Sequence, residues 1–551
     1  MHHNADGALT GNAPVPGRLL NARQMNTPDK ESSTAPEQQR IVVLDFGSQY
    51  TQLIARRVRE GHVYSEILPY NVDASRVLSD GVKGIILSGG PANLSSAGVL
   101  LPDQRILDAP VPMLGICYGM QLLGQHFGGT VSRASRREYG SARLSILKED
   151  HLFKGMREGV QGETTVWMSH GDRVESLGPE LITIARTANS PNAAIRHTSR
   201  PVFGVQFHPE VSHTTEGRNI LRNFVIGICN CRPNWTPDSF IEHEIARCRE
   251  LIGSGKVVCA TSGGVDSTVV AVLLSRAIGE NLVAIFVDNG LLREGEVNQV
   301  TSMLREELGI NVIAVTASER FLSSLRGVSD PQEKRKIIGN LFIEVFEETA
   351  SSLEDCEYLA QGTLYPDVIE SVPVRGPSAL IKGHHNVWGL PERMKLKLIE
   401  PLRELFKDEV RVIGKNLGIP DRILMRQPFP GPGLAVRVIG PIAPPQLGVL
   451  READTIVRDE IERAGLSNDL WQWFAVLLPV KSVGVMGDER TYENAVAIRV
   501  VKSLDAMTAD WAKLPYDVLG TISSRIINEV DGVNRVVYDI STKPPSTIEW
   551  E

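Results

Sequence analysis

Two long stretches of the chain alternate short, β-branched apolar runs with helical patterns. Between residues 41 and 232 the apolar runs include GIILSGG, PVPMLGIC and PVFGVQFH, and helical patterns such as TQLIARRVRE separate them. After residue 255 the alternation resumes with KVVCATSGG, a helical pattern and LVAIFVDNG. Buried parallel strands that are joined by helices produce this alternation. The sequence therefore predicts an α/β fold with two doubly wound, mainly parallel-sheet domains.

Changes in composition indicate where these domains begin and end. Residues 1–40 are rich in Asn, Pro, Gly, Ser and Gln, which predicts a disordered tail because little in them can be buried. The Pro- and Asn-rich link CRPNWTPDSF separates a first domain, 41–232, from a second, 233–430. The run RQPFPGPGLAVR ends the second domain. Residues 431–551 then form a predicted small α+β domain.

The overall charge and the cysteine content narrow the class of protein. Lys and Arg number 58 against 66 Asp and Glu, so the net charge is -8, the wrong sign for a chain that wraps nucleic acid. Six cysteines with no CxxC pair indicate a reducing compartment. No apolar run reaches the roughly 18 residues of a membrane span, and the N-terminus has no apolar core like that of a signal peptide. We expect a cytoplasmic protein without a membrane or nucleic-acid partner.

A cysteine stands where a predicted strand runs directly into a predicted helix. In PMLGICYGMQLLG, Cys117 is flanked two residues away by Gly115 and Gly119. Small residues at these positions allow the strained turn that exposes a nucleophile above a sheet. The start of a helix also favours the thiolate form. A buried structural cysteine in a glycine-rich turn would have the same spacing.

Partners for this cysteine are found in two other segments. In VFGVQFHPE an apolar strand ends at His208, a candidate base, with Glu210 two residues later to orient the ring. The predicted oxyanion hole uses backbone N–H groups of Gly89, Gly90 and Tyr118. Together these groups predict acyl transfer through a thioester.

The motifs GICYGMQ, SGGP and FHPE resemble those of the class I (triad) glutamine amidotransferases, in the same order. That resemblance implies hydrolysis of glutamine to glutamate and ammonia. It makes Cys117 the nucleophile, His208 the base and Glu210 the third member of the triad.

A second loop, in the second domain, resembles a phosphate-binding loop without the usual lysine. It lies between a predicted strand and an apolar helix and comprises Ser262, Gly263, Gly264, Val265, Asp266 and Ser267. Its amides and the helix start suit a phosphate. Asp266 replaces the lysine of GK[ST] loops, which makes sense if it holds the Mg²⁺ that neutralises β and γ phosphates. A glycine-rich turn with a helix-capping Asp remains the alternative.

SGGVDS resembles the loop of the N-type ATP pyrophosphatases, which adenylate a substrate oxygen and release pyrophosphate. An amine can then displace AMP, and a glutaminase on the same chain would supply ammonia. NAD synthetase and asparagine synthetase also combine these activities but use other glutaminase types. The order of parts here resembles the glutamine-hydrolysing GMP synthetases over about residues 41–551. The supporting stretches include EKRKIIGNLF, QGTLYPDVIES, IKGHHNV, RQPFPGPGLAVR, LLPVKSVGVMGDERTYE and KPPSTIEWE.

This resemblance implies substrates and further site residues. The substrates would be xanthosine monophosphate (XMP), ATP and glutamine, with Mg²⁺, and the last domain would mediate a homodimer. Lys382 would be a lid lysine near the ATP phosphates. The implied XMP contacts are Arg335, Gln472, Lys543 and Glu549.

Three features qualify these assignments. EKRK reads as a solvated helix face in most sequences, and a terminal KPPSTIEWE would usually fray. Asp288, at the end of the strand after the loop, is a weaker candidate for the adenosine region. Trp388 stands in HHNVWGL where the family pattern has a Gly, which leaves the packing of that loop open.

Two other functions fit parts of the sequence. One is a different ammonia-using adenylating enzyme, acting on a tRNA base or another small acid, although the chain offers no basic stripe for tRNA. The other is a catalytically silent scaffold that only binds nucleotide. The co-occurrence of Cys117, His208, Glu210 and Asp266 argues against such a scaffold.

Overall fold

The structure is a computed structural model. It describes residues 39–94, 99–156, 163–353, 355–371, 396–503 and 508–551. The predicted tail lies almost wholly outside these ranges, as do Lys382 and Trp388. The described part contains three β-sheets and confirms the α/β fold class.

The first sheet has nine described strands, with four parallel and four antiparallel pairings. The strands are β1 (Arg40–Asp45), β2 (Tyr64–Pro69), β3 (Val82–Leu87), β4 (Met113–Ile116), β5 (Thr130–Ile146), β6 (Glu163–Ser176), β7 (Leu181–Arg186), β8 (Ala194–His197) and β9 (Val202–Val205). Their order is β2-β1-β3-β4-β9-β8-β7-β5-β6. Within the sheet, β2, β1, β3, β4 and β9 pair in parallel with their neighbours in that order. The pairs β9–β8, β8–β7, β7–β5 and β5–β6 are antiparallel. The antiparallel half is a feature that the sequence patterns did not predict.

The α-helices described around this sheet are α1 (Thr51–Glu60), α2 (Ala74–Val77), α3 (Gln104–Asp108), α4 (Tyr118–His126) and α5 (Gly217–Arg222). The parallel strands are buried nearly throughout, and β4 and β9 are buried at every position. Strands covered on both faces read as continuous apolar runs, which is why the sequence pattern revealed them.

The second sheet is entirely parallel. Its strands are β10 (Lys256–Ala260), β11 (Leu282–Asp288), β12 (Val312–Thr316), β13 (Cys356–Ala360) and β14 (Lys397–Ile399), in the order β12-β11-β10-β13-β14. The chain moves outwards from β10 to one side and then returns to its other side at β13. In open α/β sheets, ligands bind at such a switch point, beyond the carboxyl ends of the strands.

The described residues of this part of the chain form the α-helices α6 (Pro237–Ile252), α7 (Val265–Ile278), α8 (Glu296–Ser302), α9 (Ser318–Ser324), α10 (Pro331–Ser351), α11 (Tyr365–Ser371), α12 (Lys407–Asn416) and α13 (Asp421–Leu424). Helix α6 follows the predicted link and begins with a capping box, in which the Thr236 side chain accepts from the Ser239 amide. The cap and Pro237 at the first helical position explain why the helix begins there.

The third sheet is built around one long hairpin. Its elements are α14 (Pro444–Arg463), β15 (Gln472–Met486), β16 (Glu489–Lys502), β17 (Asp510–Trp511), α15 (Tyr516–Glu529) and β18 (Val533–Tyr538). Strand β16 pairs antiparallel with β15 and β17 and parallel with β18. One hydrophobic cluster contains Ile285 of β11 together with Val496 of β16, and Leu434 belongs to it as well. The second and third sheets therefore share a core.

Arg59 of α1 joins the first sheet to the second. Its guanidinium lies 2.9 Å from Glu409 of α12 and donates to the backbone oxygen of Glu404. Four aromatic rings surround it at 4.8 to 5.6 Å from their centroids: Tyr64, Trp235, Tyr365 and Phe406. A guanidinium buried among ring faces is held by cation–π attraction as well as by its ion pair.

Among the described residues, no helix combines the length and apolarity needed to cross a membrane. All six cysteines are free thiols.

Candidate active sites

Cys117 occupies a strained turn between β4 and α4. Its φ is 51° and its ψ is -103°, a conformation rare for a residue with a side chain. A Cβ atom at Gly115 would lie 2.5 Å from the carbonyl carbon of Gly119, and one at Gly119 would collide with Leu87 of β3. The two glycines are therefore sterically required, as a nucleophile elbow demands.

His208 and Glu210 form a buried pair next to this cysteine. Nδ1 of His208 lies 2.7 Å from Oε1 of Glu210, which has no exposed surface. Burial by itself lowers the pKa of His208, but the Glu210 carboxylate and the hydrogen bond with Cys117 outweigh it and raise the pKa well above its ordinary value. The structure thus brings the three predicted triad residues together, in the arrangement of an activated thiol, a base and an orienting carboxylate.

The loop that carries Gly89 and Gly90 borders the same site. A Cβ atom at Gly89 would lie 3.2 Å from Cε1 of His208. The amide of Gly119 donates to the Ser88 oxygen at 3.1 Å, which places this loop beside the start of α4, where Tyr118 lies. In the described part of the chain the amides of Gly89 and Gly90 have no acceptor. Free N–H groups beside a nucleophile suit an oxyanion.

Two glutamine side chains and two backbone oxygens around this site were missed by the sequence reasoning. The backbone oxygen of Ser169 lies 3.8 Å from Sγ of Cys117, and the side-chain amide of Gln206 donates to the same sulfur at 3.6 Å. Nε2 of Gln121 donates to the backbone oxygen of Asp172 at 2.8 Å. The available signals were the polar run SHGD within β6 and a glutamine one helical turn after the cysteine.

A buried acid supports this part of β6. Glu138 is the cross-strand partner of His170, and their side chains lie 3.2 Å apart. Burial raises the pKa of Glu138, but hydrogen bonds from His170, Ser190 and Thr187 lower it below its ordinary value. Nδ1 of His170 also lies 3.0 Å from the backbone oxygen of Asp172. The Glu138–His170 pair is thereby attached to the same part of β6 that contacts Gln121 and Cys117.

The SGGVDS loop lies between the end of β10 and the start of α7. Gly263 has a φ of +71°, and Gly264 is the N-cap of α7 without any side-chain capping bond. The first-turn amides of α7 are consequently open to an external anion. Arg426 of the RQPFPGPG run donates to the Gly263 oxygen at 3.2 Å and is paired with Glu296. This contact links the run predicted to end the second domain to the loop.

One oxygen of Asp266 has no hydrogen-bond partner among the described residues. Its Oδ1 is buried without a hydrogen-bond partner, and its Oδ2 lies 3.5 Å from Nζ of Lys407. A Cβ atom at Gly362 would lie 3.6 Å from that of Asp266, and the hydroxyl of buried Thr363, the next residue, has no partner among the described residues. The described residues contain no group of three or more His, Cys, Asp or Glu that could hold a metal. One orphaned carboxylate oxygen fits Mg²⁺, which usually binds through one or two carboxylates and substrate phosphates.

Asp288 lies at the carboxyl end of β11, as predicted, and accepts from the Gly290 amide at 2.9 Å. The structure assigns it a role in that turn. Its contact with a nucleoside stays a prediction.

The structure brings together three of the four residues predicted to bind XMP. Nε2 of Gln472 donates to Glu549 at 2.7 Å, and Arg335 donates to the Glu551 backbone oxygen at 2.6 Å. Lys543 pairs through its backbone with Ala509. A cavity of about 610 Å³ lies against this end of the chain and is lined by Val537, Tyr538, Asp539, Ile540, Ser541, Pro545, Ser546, Thr547, Glu549 and Trp550.

Arg437 is a further member of this cluster that the sequence reasoning missed. Its guanidinium is fully buried, lies 3.9 Å from the ring centroid of Phe474 and donates to both oxygens of Glu549, at 3.1 and 2.9 Å. Such a bidentate contact fixes the orientation of a carboxylate. The alternative that KPPSTIEWE frays does not hold for its last residues, because Glu549 and Glu551 are paired with the buried cations of Arg437 and Lys334.

Comparisons with known proteins agree with this arrangement. Residues 42–228 match the family model of class-I glutamine amidotransferases, residues 238–341 that of NAD synthase, and residues 459–550 that of the GMP synthase C-terminal domain. The glutamine-hydrolyzing GMP synthases of Aliarcobacter butzleri and Aquifex aeolicus are each 56% identical over 511 residues, covering 93% of this chain and 99% of theirs. That of Solidesulfovibrio magneticus is 56% identical over 528 residues, covering 96% of this chain and 100% of its own. The chain therefore belongs to the family of glutamine-hydrolysing GMP synthases.

Proposed function

We propose that this carbon–nitrogen ligase of purine biosynthesis makes GMP from XMP, ATP and glutamine by dividing the reaction between two sites. In the first, the Cys117 thiolate attacks the glutamine amide carbon and His208 protonates the departing ammonia. Water, activated by His208, then releases glutamate from the thioester. The raised pKa of His208 supports this role, because the imidazolium is needed when ammonia leaves. The free amides of Gly89 and Gly90 suit the tetrahedral oxyanion.

In the second site, the purine oxygen of XMP attacks the α phosphorus of ATP and pyrophosphate leaves. The open amides at the start of α7 would bind the β and γ phosphates, and Asp266 and Thr363 would hold Mg²⁺. The ion, bound with ATP, would neutralise the leaving pyrophosphate. Ammonia then displaces AMP from the activated carbon. The boundaries of the three parts, 41–232, 233–430 and 431–551, belong to this proposal, as does Lys382 as a lid lysine.

One observation carries the proposal. A cysteine on a strained elbow, with a buried His–Glu pair, shares one chain with an uncapped glycine loop next to an unpaired carboxylate oxygen. The first is a glutaminase arrangement, and the second binds phosphates without the lysine that would favour cleavage at the γ phosphorus. An ammonia-dependent adenylating ligase needs both.

The test is the stoichiometry of purified protein supplied with XMP, ATP, Mg²⁺ and either glutamine or an ammonium salt. We expect AMP, pyrophosphate and GMP in equal amounts with both nitrogen donors, and glutamate only with glutamine. Formation of ADP and inorganic phosphate would contradict the proposal. Formation of AMP with another acceptor, but not with XMP, would favour a different adenylating enzyme.

We also propose that the enzyme is a cytoplasmic homodimer. Free thiols at all six cysteines are compatible with a reducing compartment. The outer part of the β15–β16 hairpin carries exposed apolar side chains: Val480, Val483, Val485 and Tyr492. An apolar surface of this kind suits a partner copy. Analytical ultracentrifugation tests the dimer: the wild-type protein should be a dimer at micromolar concentration and Val485→Glu should dissociate. A wild-type protein that is monomeric at that concentration would contradict the proposal.

A further inference from the structure

A fully buried lysine lies beside the predicted XMP site and has no role in the reaction proposed above. Lys334 of α10 has no exposed surface, although its sequence neighbours suggested a solvated helix face. Its ammonium donates to the backbone oxygens of Ala435 and Val438, at 3.1 and 2.8 Å, and is paired with the Glu551 carboxylate. These three acceptors use all the donors that an ammonium has.

Glu551 is held on both of its carboxylate oxygens. Oε2 meets Lys334, and Oε1 accepts the Gly440 amide at 3.1 Å. The neighbouring Arg335 donates to the backbone oxygen of the same residue at 2.6 Å. Residue 551 is therefore fastened to α10 through its side chain and its backbone, and to the loop after Arg437.

The anchoring of residue 551 bears on the orientation of Glu549, two residues earlier. Trp550 points away, with its indole donating to Asp539 at 3.0 Å, while the Glu549 carboxylate turns inward to Arg437 and Gln472. Glu549 receives three hydrogen bonds, and a carboxylate has about four lone-pair positions, so one stays open for a ligand. The direction of that open position depends on how the chain is anchored at residue 551.

Stability alone is a weak reason for such a pair. Taking an ammonium and a carboxylate out of water costs several kcal/mol each, and apolar replacements of similar volume are often no less stable. In some proteins a buried ion pair fixes one geometry, because breaking the pair leaves an uncompensated buried charge. The Lys334–Glu551 pair thus suits a positional role between α10, which carries Arg335, and the segment that carries Glu549.

We infer that Lys334 and Glu551 are positioning residues for XMP, which hold Glu549 and Arg335 in register with each other. Neither residue contacts substrate in this account. The inference rests on the proposed function, because it takes Glu549 and Arg335 as contacts to the nucleotide.

The test uses ammonium-driven GMP synthesis by the full-length protein, so that the glutaminase does not enter the measurement. Glu551→Gln keeps the size and one oxygen but removes the charge, and we expect it to raise the KM for XMP by about tenfold while the KM for ATP stays within about twofold. Lys334→Met should do the same. Lys336→Met is the matched control, since Lys336 is an exposed residue two positions along the same helix, and its KM for XMP should stay at the wild-type value.

Other outcomes separate the explanations. An unchanged KM for XMP in Glu551→Gln, with only a lower melting temperature, would overturn the inference and leave a structural pair. Should Lys334→Met fail to fold, the double variant Lys334→Met/Glu551→Met removes both charges, and it should fold yet keep the raised KM for XMP. A wild-type KM in that double variant would also overturn the inference. Failure of the proposed function would appear differently, as wild-type protein that forms no AMP with XMP.

Discussion

The His208–Glu210 pair offers the sharpest test of the glutaminase site through the substitution Glu210→Gln. The two side chains have similar shape, and the amide oxygen of glutamine can keep the 2.7 Å bond to Nδ1 of His208. Among the described residues, Oε2 of Glu210 is buried without a hydrogen-bond partner, so the new amide nitrogen displaces none, but its N–H groups find no acceptor there and should cost about 1 to 3 kcal/mol of stability. The variant therefore removes the charge and keeps the shape of the side chain.

The expected loss follows from burial. Glu210 has no exposed surface, and breaking a buried charge pair costs about 3 to 5 kcal/mol. If about 3 to 4 kcal/mol of this is lost when the imidazolium forms, kcat/KM for glutamine falls by roughly 10²- to 10³-fold. Without the carboxylate, burial is left as the main influence and the pKa of His208 falls. The limb of the pH–rate profile that reports His208 should accordingly move to lower pH.

The assay measures GMP formation with glutamine and, separately, with an ammonium salt across pH. Synthesis from ammonium should stay at the wild-type rate, because the second site is intact. The matched control is Glu175→Gln, at a half-exposed glutamate near the end of β6, which should change neither rate. Full glutamine-dependent activity in Glu210→Gln would refute the role of the pair, and an equal loss with both donors would refute the separation of the two sites.

Three further outcomes are expected. Cys117→Ala should abolish glutamine-dependent synthesis and keep synthesis from ammonium salts, and an equal loss of both would contradict the division of the reaction between two sites. Asp266→Asn should abolish isotope exchange between pyrophosphate and ATP in the presence of XMP, whereas glutamine hydrolysis should persist, and normal exchange would exclude a metal-holding role. Gly119→Ala would place its Cβ 2.6 Å from that of Leu87. We therefore expect glutaminase activity to fall and the unfolding free energy, measured by urea denaturation, to decrease by about 1 to 3 kcal/mol. An unchanged urea midpoint would show that the backbone of the elbow can shift to accept the methyl group.

The family motifs could be read directly because their residues are close in sequence. An elbow needs Gly115, Cys117 and Gly119 within one turn, and its backbone strain follows from that local pattern. The α/β class was equally accessible, since strands buried on both faces leave uninterrupted apolar runs. The antiparallel half of the first sheet was not, because its strands β5 and β6 are partly exposed and mix apolar with polar residues.

Residues that act through distant partners could not be found this way. Lys334 looked solvated because its neighbours are charged, and only packing against Ala435, Val438 and Glu551 buries its ammonium. Arg437 likewise became a site residue through Glu549, more than a hundred positions away. The sequence by itself determined which chemistry the chain carries, because motifs are local. Tertiary structure alone decided which charges lose their water and which partners compensate them, because desolvation depends on every element that packs around a group.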